Sequence, residues 1–355
     1  MAKDDTIFDT KKTREMIERG RRAKWWKRNG GKVSGFKYFD CAGNAITDET
    51  ILERIKSLVI PPAWKYVRIC PSPTGRLQVV GMDGKGRIQY RYHPSYERKM
   101  QRRKFAKVEE FGEYIPQLRE ATSEHLLLDG LPKEKVLAAV LRLINSLYFR
   151  VGTALSEKHY KTYGITTLHK KHLSIKAKGR LEFEYVGKSH VEHRKVLVDE
   201  ELAAIVKKIA SLPRGRKLFR YLDENGKPKP ITPAQVNNYL KSITDPKFSS
   251  KDFRTWGGTL LTAIELAETG PAETETEAKK NVVEVVKKVA EELGNTPAVC
   301  RSSYIHPVVL DSYTKGITIS EFQPNNKRRI KRTQKGLEPE EEALIKLFRN
   351  GNGSS

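Results

Sequence analysis

The run HLSIKAKGRLEFEYVGKSHVEHRKVLV, His172–Val198, alternates apolar and polar residues with period two. That is the pattern of strands with one buried face. Gly179 and Gly187 mark turns, so the run reads as a small antiparallel sheet. On both sides of it the apolar spacing becomes helical. Upstream, Pro132 opens a helix carrying Val136, Val140, Leu143, Ile144 and Leu147, with Gly152 as its stop and Arg150 at its end. Downstream, helices are expected over 199–210 and after Thr232-Pro233, where Gln235 stands at capping-box spacing. Another is expected after Ser250, carrying Phe253, Trp256, Leu260 and Ile264. A long charged helix then ends at Gly294, and Thr296-Pro297 starts the next.

Before this region the pattern is different. From Trp25 to about Tyr92, short strand-like runs (Gly35–Asp40, Val67–Cys70, LQVVGMD, RIQYRY) are separated by Gly, Pro and Asn turn signals. One helix is inserted after Thr47-Asp48-Glu49-Thr50, with Ile51, Ile55, Leu58 and Val59 on one face and Pro61-Pro62 as its stop. The expected architecture is α+β: a polar arm at 1–24, a small mainly-β domain at 25–98 and a larger mainly α-helical domain at 99–326 that contains the hairpin sheet. A basic tail leading into an amphipathic helix is expected at 327–355.

The chain has 67 Lys and Arg against 43 Asp and Glu, a net charge of +24. Residues 1–100 hold 22 of those basic residues and 11 of the acids, so the excess is spread over both parts of the chain. A protein that grips a polyanion from two sides needs that distribution. Charge alone fits a basic ribosomal or chromatin protein equally well. No apolar run reaches the roughly 20 residues of a membrane span, and the first residues lack the apolar core of a secretory signal. Cys41, Cys70 and Cys300 are far apart and without ligand spacing, which speaks for a reducing compartment and against a disulfide framework or a zinc site. His169, His172, His190 and His193 have no flanking pattern that would make a metal cluster. There is no Walker-type loop either, so neither metal nor nucleotide cofactor is expected. The expected location is the cytoplasm.

Four segments concentrate reactive residue types. Phe149-Arg150-Val151-Gly152 sets an arginine at a helix end, where the helix dipole by itself accounts for a cation. Tyr185-Val186-Gly187-Lys188-Ser189-His190 sets a lysine on a hairpin turn, and most turn lysines are simply solvated. Lys251-Asp252-Phe253-Arg254-Thr255-Trp256-Gly257-Gly258-Thr259 sets Arg254 near a helix start, a place that favours anions. Gly294-Asn295-Thr296-Pro297 leads into Ser302-Ser303-Tyr304-Ile305-His306-Pro307, whose tyrosine reads equally well as a half-buried core residue. Each segment alone is weak.

Together, and in this order, Arg150, Lys188, Arg254, Asn295 and Tyr304 resemble the active-site series of the poxvirus-like type IB DNA topoisomerases, particularly the bacterial members. The resemblance covers most of the chain. It includes the stretch from Ile46 to Pro94, the segment YGITTLHKKH, KDFRTWGGT and GNTPAVCRSSYIHP. It implies a catalytic helical domain of the tyrosine recombinase and type IB topoisomerase kind. Tyr304 would be the nucleophile, attacking a phosphodiester of double-stranded DNA to give a 3′-phosphotyrosyl link and a free 5′-hydroxyl. A free phenol titrates near about 10, so nearby cations help it react. Arg150 and Arg254 would offer planar forks to the two non-bridging oxygens, and Lys188 would protonate the leaving 5′-oxygen as general acid. Asn295 stands where viral relatives commonly carry His; it can donate a hydrogen bond but cannot carry a proton. The segment matching Gln89-Tyr90-Arg91-Tyr92 touches bases in the viral relatives, which makes Gln89, Tyr90 and Tyr92 candidate DNA contacts. The basic run Lys327–Arg332 could track phosphates. The resemblance further implies a monomer clamped on duplex DNA that relaxes supercoils of both signs without ATP. A tyrosine recombinase would share the nucleophile. It would usually carry His-x-x-Arg where this chain has Lys251-Asp252-Phe253-Arg254, and it would lack the β-rich N-terminal domain. A non-catalytic DNA-binding module is the third reading.

Overall fold

The computed structural model describes residues 10–322 and 336–352. The chain divides between Lys104 and Phe105 into two compact units.

In the first unit, α1 (Thr10–Glu18) precedes β1 (Trp26–Gly31) and β2 (Gly35–Phe39). Then follow α2 (Glu49–Ser57), β3 (Lys65–Ile69), β4 (Leu77–Met82) and β5 (Ile88–Tyr92). The strands form one antiparallel sheet in the order β2-β1-β3-β4-β5. Helix α2 begins where Asp48 accepts a hydrogen bond from the Ile51 N–H, as its capping sequence requires. Ile55 of α2 packs with Val67, Ile69 and Val79 of the sheet. Thr10–Glu18, read above as part of a polar arm, is a docked helix. Ile17 is fully buried with Val80 and Met82, Thr13 donates to the Gly86 carbonyl, and Glu18 pairs with Arg68. One well-placed isoleucine and two polar anchors hold a segment whose composition is otherwise that of a solvated arm.

The second unit is mainly helical. Helix α3 (Pro94–Glu113) enters it, followed by α4 (Ile115–Leu126), α5 (Lys133–Leu147) and α6 (Ala154–Tyr160). The three-stranded antiparallel sheet comes next: β6 (Leu173–Lys176), β7 (Arg180–Val186) and β8 (Glu192–Val198), in the order β6-β7-β8. After α7 (Glu200–Ser211) a short ribbon, β9 (Arg220–Leu222) with β10 (Pro228–Pro230), leads to α8 (Pro233–Ile243) and α9 (Ser250–Thr269). Helices α10 (Glu275–Leu293), α11 (Pro297–Tyr304), α12 (Pro307–Thr314) and α13 (Pro339–Asn352) complete it. The mixed architecture, a β-rich N-terminal region and a helical core with a small sheet, is the α+β fold expected above.

Helix α5 lies in the core, with Val136, Val140, Leu143 and Ile144 fully buried, and α9, which packs against it, buries Phe253, Trp256 and Leu266. The amphipathic C-terminal segment is docked as α13. Its Leu344, Leu347 and Phe348 join the same core, and Arg119 makes a two-pronged buried ion pair with Glu341. The run Lys327–Arg332 lies outside the described residues. Among the described residues, no helix is long and apolar enough to cross a membrane.

Candidate active site

Arg150 does not end α5. The helix stops at Leu147, and Tyr148 takes the left-handed C-cap conformation at φ 54° with its N–H on the Ile144 carbonyl. No glycine marks this stop. Instead the Tyr148 ring packs so closely on Gly257 of α9 that a Cβ there would lie 2.1 Å from it, and this long-range contact repays the strained cap. Arg150 therefore sits in an extended segment two residues past the cap.

That segment is held by YGITTL. The Arg150 and Val151 carbonyls accept from the Ile165 and Thr166 N–H groups at 2.8 and 2.9 Å. Gly164 lies so close that a Cβ would meet the Arg150 carbonyl oxygen at 2.4 Å. The guanidinium then turns to the far end of α10, donating through Nη2 to the Gly294 carbonyl at 3.0 Å and to Asn295 Oδ1 at 2.6 Å. Gly294, at φ 60°, is the left-handed cap that ends α10 and aims Asn295 at Arg150.

Arg254 is deeper, 4% exposed in the second turn of α9. Nη1 donates to the Tyr148 carbonyl at 2.6 Å and Nη2 to the Leu293 carbonyl at 2.7 Å. One guanidinium thus ties the end of α5 to the end of α10. Its carbon lies 5.0 Å from the centre of the Tyr304 ring. Arg150 is held below the usual arginine range, first by burial and second by the charge of Arg254. Tyr304 opposes that shift, both by charge and as a hydrogen-bonding partner.

Tyr304 closes α11, whose start is set by Thr296 capping the Val299 N–H ahead of Pro297. The chain after it is pinned to α9. Thr259, fully buried, donates to the Tyr304 carbonyl at 3.2 Å and accepts from the His306 N–H at 3.0 Å. Gly258 lets the two backbones approach, since a Cβ would meet the Tyr304 carbonyl oxygen at 2.7 Å. His306 packs between Phe105 and Phe348 and pairs with Glu109 at 3.1 Å. The segment Trp256-Gly257-Gly258-Thr259 is thereby explained residue by residue. Trp256 fills the core, Gly257 seats Tyr148, and Gly258 with Thr259 seats the tyrosine. Gly258 and Thr259 were not singled out from the sequence; two adjacent glycines inside a helix were the signal that another backbone approaches there.

The structure brings Arg150, Arg254, Asn295 and Tyr304 together. Family models match both units: Eukaryotic DNA topoisomerase I, catalytic core, over residues 93–333, and Bacterial DNA topoisomerase IB, N-terminal domain, over residues 35–83. The DNA topoisomerase 1B of Acanthamoeba polyphaga mimivirus is 31% identical over 297 residues, spanning 81% of this chain and 87% of the viral protein. The chain belongs to the type IB DNA topoisomerases. Similarity extends to the DNA topoisomerase 1 of the fungus Mycosarcoma maydis, 23% identical over 193 residues, and that of Schizosaccharomyces pombe, 26% over 167 residues. Each of those alignments spans about half of this chain and 19% of the fungal protein. The protein is an enzyme of this class, and DNA is its substrate.

Other expected residues of this topoisomerase lie outside the cluster. Lys188 stands exposed on the turn between β7 and β8, where its ammonium makes no hydrogen bond or ion pair with a described residue. In the first unit, Tyr90 is 44% exposed and its ring stacks on that of Tyr92 at 6.1 Å. Tyr92 in turn packs on Tyr96, over which Arg76 lies. Gln89 donates to Asp83 at 2.9 Å. Among the described residues, no three His, Cys, Asp or Glu side chains are gathered at metal-binding spacing.

Proposed function

We propose that this topoisomerase nicks one strand of duplex DNA through Tyr304, keeps the strand as a 3′-phosphotyrosyl ester, and reseals it after the free 5′ end has swivelled. The observation that carries this reading is the convergence of two guanidinium groups on one phenol, from positions 150 and 254, with Arg254 5.0 Å from the ring. Two cations beside a phenol can hold the charge that develops on the non-bridging oxygens. The carbonyls of Tyr148, Leu293 and Gly294 fix both forks in advance, so little reorganisation is left for the reaction step.

Asn295 contributes first by holding Arg150 and second as an amide donor to a phosphate oxygen. Lys188 is the proton donor to the 5′-oxygen, carried on a turn that leaves its ammonium uncommitted. In the first unit, Tyr90, Tyr92 and Gln89 contact base edges. The protein acts as a monomer on duplex DNA. The phosphodiester energy is kept in the tyrosyl ester, so resealing needs no ATP.

Supercoiled plasmid incubated with EDTA and no ATP tests the reading. Stepwise relaxation of both positive and negative supercoils is expected. Recombinant two-site products, or plasmid left unchanged, would contradict it.

A further inference from the structure

His193 lies opposite Tyr185 in the β7–β8 pair, and the two rings stack at 5.0 Å and 19°. Tyr185 packs in turn on Phe149, the neighbour of Arg150. The edge of the imidazole is wedged between two glycines. A Cβ on Gly187, the residue before Lys188, would lie 2.5 Å from the ring, and one on Gly294, the residue before Asn295, would lie 2.0 Å from it. A single side chain thus touches the chain beside two of the proposed site residues, Lys188 and Asn295, and reaches the neighbour of a third, Arg150, through Tyr185.

The ring is 8% exposed, and its Nε2 is buried with no hydrogen-bond partner. An orphaned buried nitrogen costs stability, and a hydrocarbon ring would avoid that cost. Packing alone therefore does not account for a histidine at this position. Burial, then the charges of Lys195, Arg150 and Arg254, push its pKa down to about 4. The ring is neutral at pH 7 and can lie beside guanidinium groups without repelling them. Lys195, next but one in β8, is anchored by donating to the carbonyl and carboxylate of Glu292, so the strand that carries His193 is itself fixed to the end of α10.

We propose that His193 is a positioning residue that sets the turn carrying Lys188 against the Gly294–Asn295 corner. This rests on Lys188 taking part in cleavage as described above. A methyl group at Gly187 or Gly294 would displace the ring, in addition to the left-handed backbone that already favours glycine at 294.

The test is single-turnover cleavage by His193→Ala, Lys188→Ala and the double variant, on matched duplexes whose leaving 5′ atom is oxygen or sulfur. On oxygen, His193→Ala should be slower by about 10²-fold, the usual loss when a reacting group is misplaced by about 1 Å. The double variant should be no slower than Lys188→Ala alone, since both substitutions remove the same contribution. A thiolate leaves without needing a proton, so on sulfur all three should recover most of the rate. Gly187→Ala, which pushes on the ring without opening a cavity, should show the same pattern and guards against a folding defect in His193→Ala. Wild-type rates for His193→Ala, or losses that multiply in the double variant, overturn the proposal. If Lys188→Ala is not rescued by sulfur, the acid role of Lys188 fails on its own, and the double variant still decides whether His193 acts through that turn.

Discussion

Arg254 and Tyr304, separated by fifty residues of chain, meet in space: the guanidinium carbon lies over the ring, 5.0 Å from its centre. The same guanidinium bridges the carbonyls that end α5 and α10. It is therefore at once a structural tie and one of the two cations gathered at the phenol. Arg254→Lys keeps the charge but cannot reach two carbonyls with a fixed fork. It should slow single-turnover cleavage by about 10²–10³-fold, the usual loss for one preorganised donor, with DNA affinity changed little in a filter-binding assay. A rate within a few-fold of wild type would mean that charge alone suffices.

Gly258 sits in the interior of α9, where alanine is the better helix former by about 1 kcal/mol. Gly258→Ala should nonetheless cripple the enzyme, because the new methyl would meet the Tyr304 carbonyl oxygen at 2.7 Å and Leu293 Cδ1 at 3.0 Å. Cleavage should fall by about 10²-fold for a displacement of the nucleophile by an ångström. Circular dichroism should show the helical content unchanged.

Stability should fall in acid before the carboxylates titrate. His193 has a folded-state pKa of about 4, against 6.5 for the free side chain, with burial the main cause. A base depressed in the folded state contributes fully above pH 6.5, and that contribution is lost as pH drops from 6.5 toward 4, because the unfolded chain takes up the proton first. The full loss is on the order of 3 kcal/mol at 1.36 kcal/mol per unit. Urea midpoints measured across that window should decline in the wild type and more shallowly in His193→Gln.

Arg119 and Glu341 are both almost fully buried and tie α13 to α4. Glu341→Gln leaves the guanidinium without its counter-charge and should cost about 3–5 kcal/mol, whereas replacing both partners by apolar residues of similar volume should cost far less. Thermal unfolding of the two variants checks this.

Much of the fold was legible because it is written locally. The capping box Thr232–Gln235, the stop at Gly294, the start at Thr296-Pro297 and the turn at Gly187 all lie where their residue types require. What escaped is written at a distance. Tyr148 adopts a left-handed cap with no glycine to announce it, because its ring is seated on Gly257, 109 residues along the chain. Ile17 docks a polar helix through one side chain. At the site, residue types in order pointed to the cluster, but the partners that hold it are backbone carbonyls at Tyr148, Leu293 and Gly294, and side-chain identity carries no mark of those.

The nucleophile itself is tested by trapping. Duplex DNA labelled at the 5′ end of the cleaved strand is incubated with enzyme, denatured and resolved by electrophoresis. The wild type should carry the label as a protein adduct, since a 3′-phosphotyrosyl bond keeps the 5′-end fragment, while Tyr304→Phe should carry none. An adduct that persists in Tyr304→Phe, or one that retains a 3′-end label instead, would contradict the assignment.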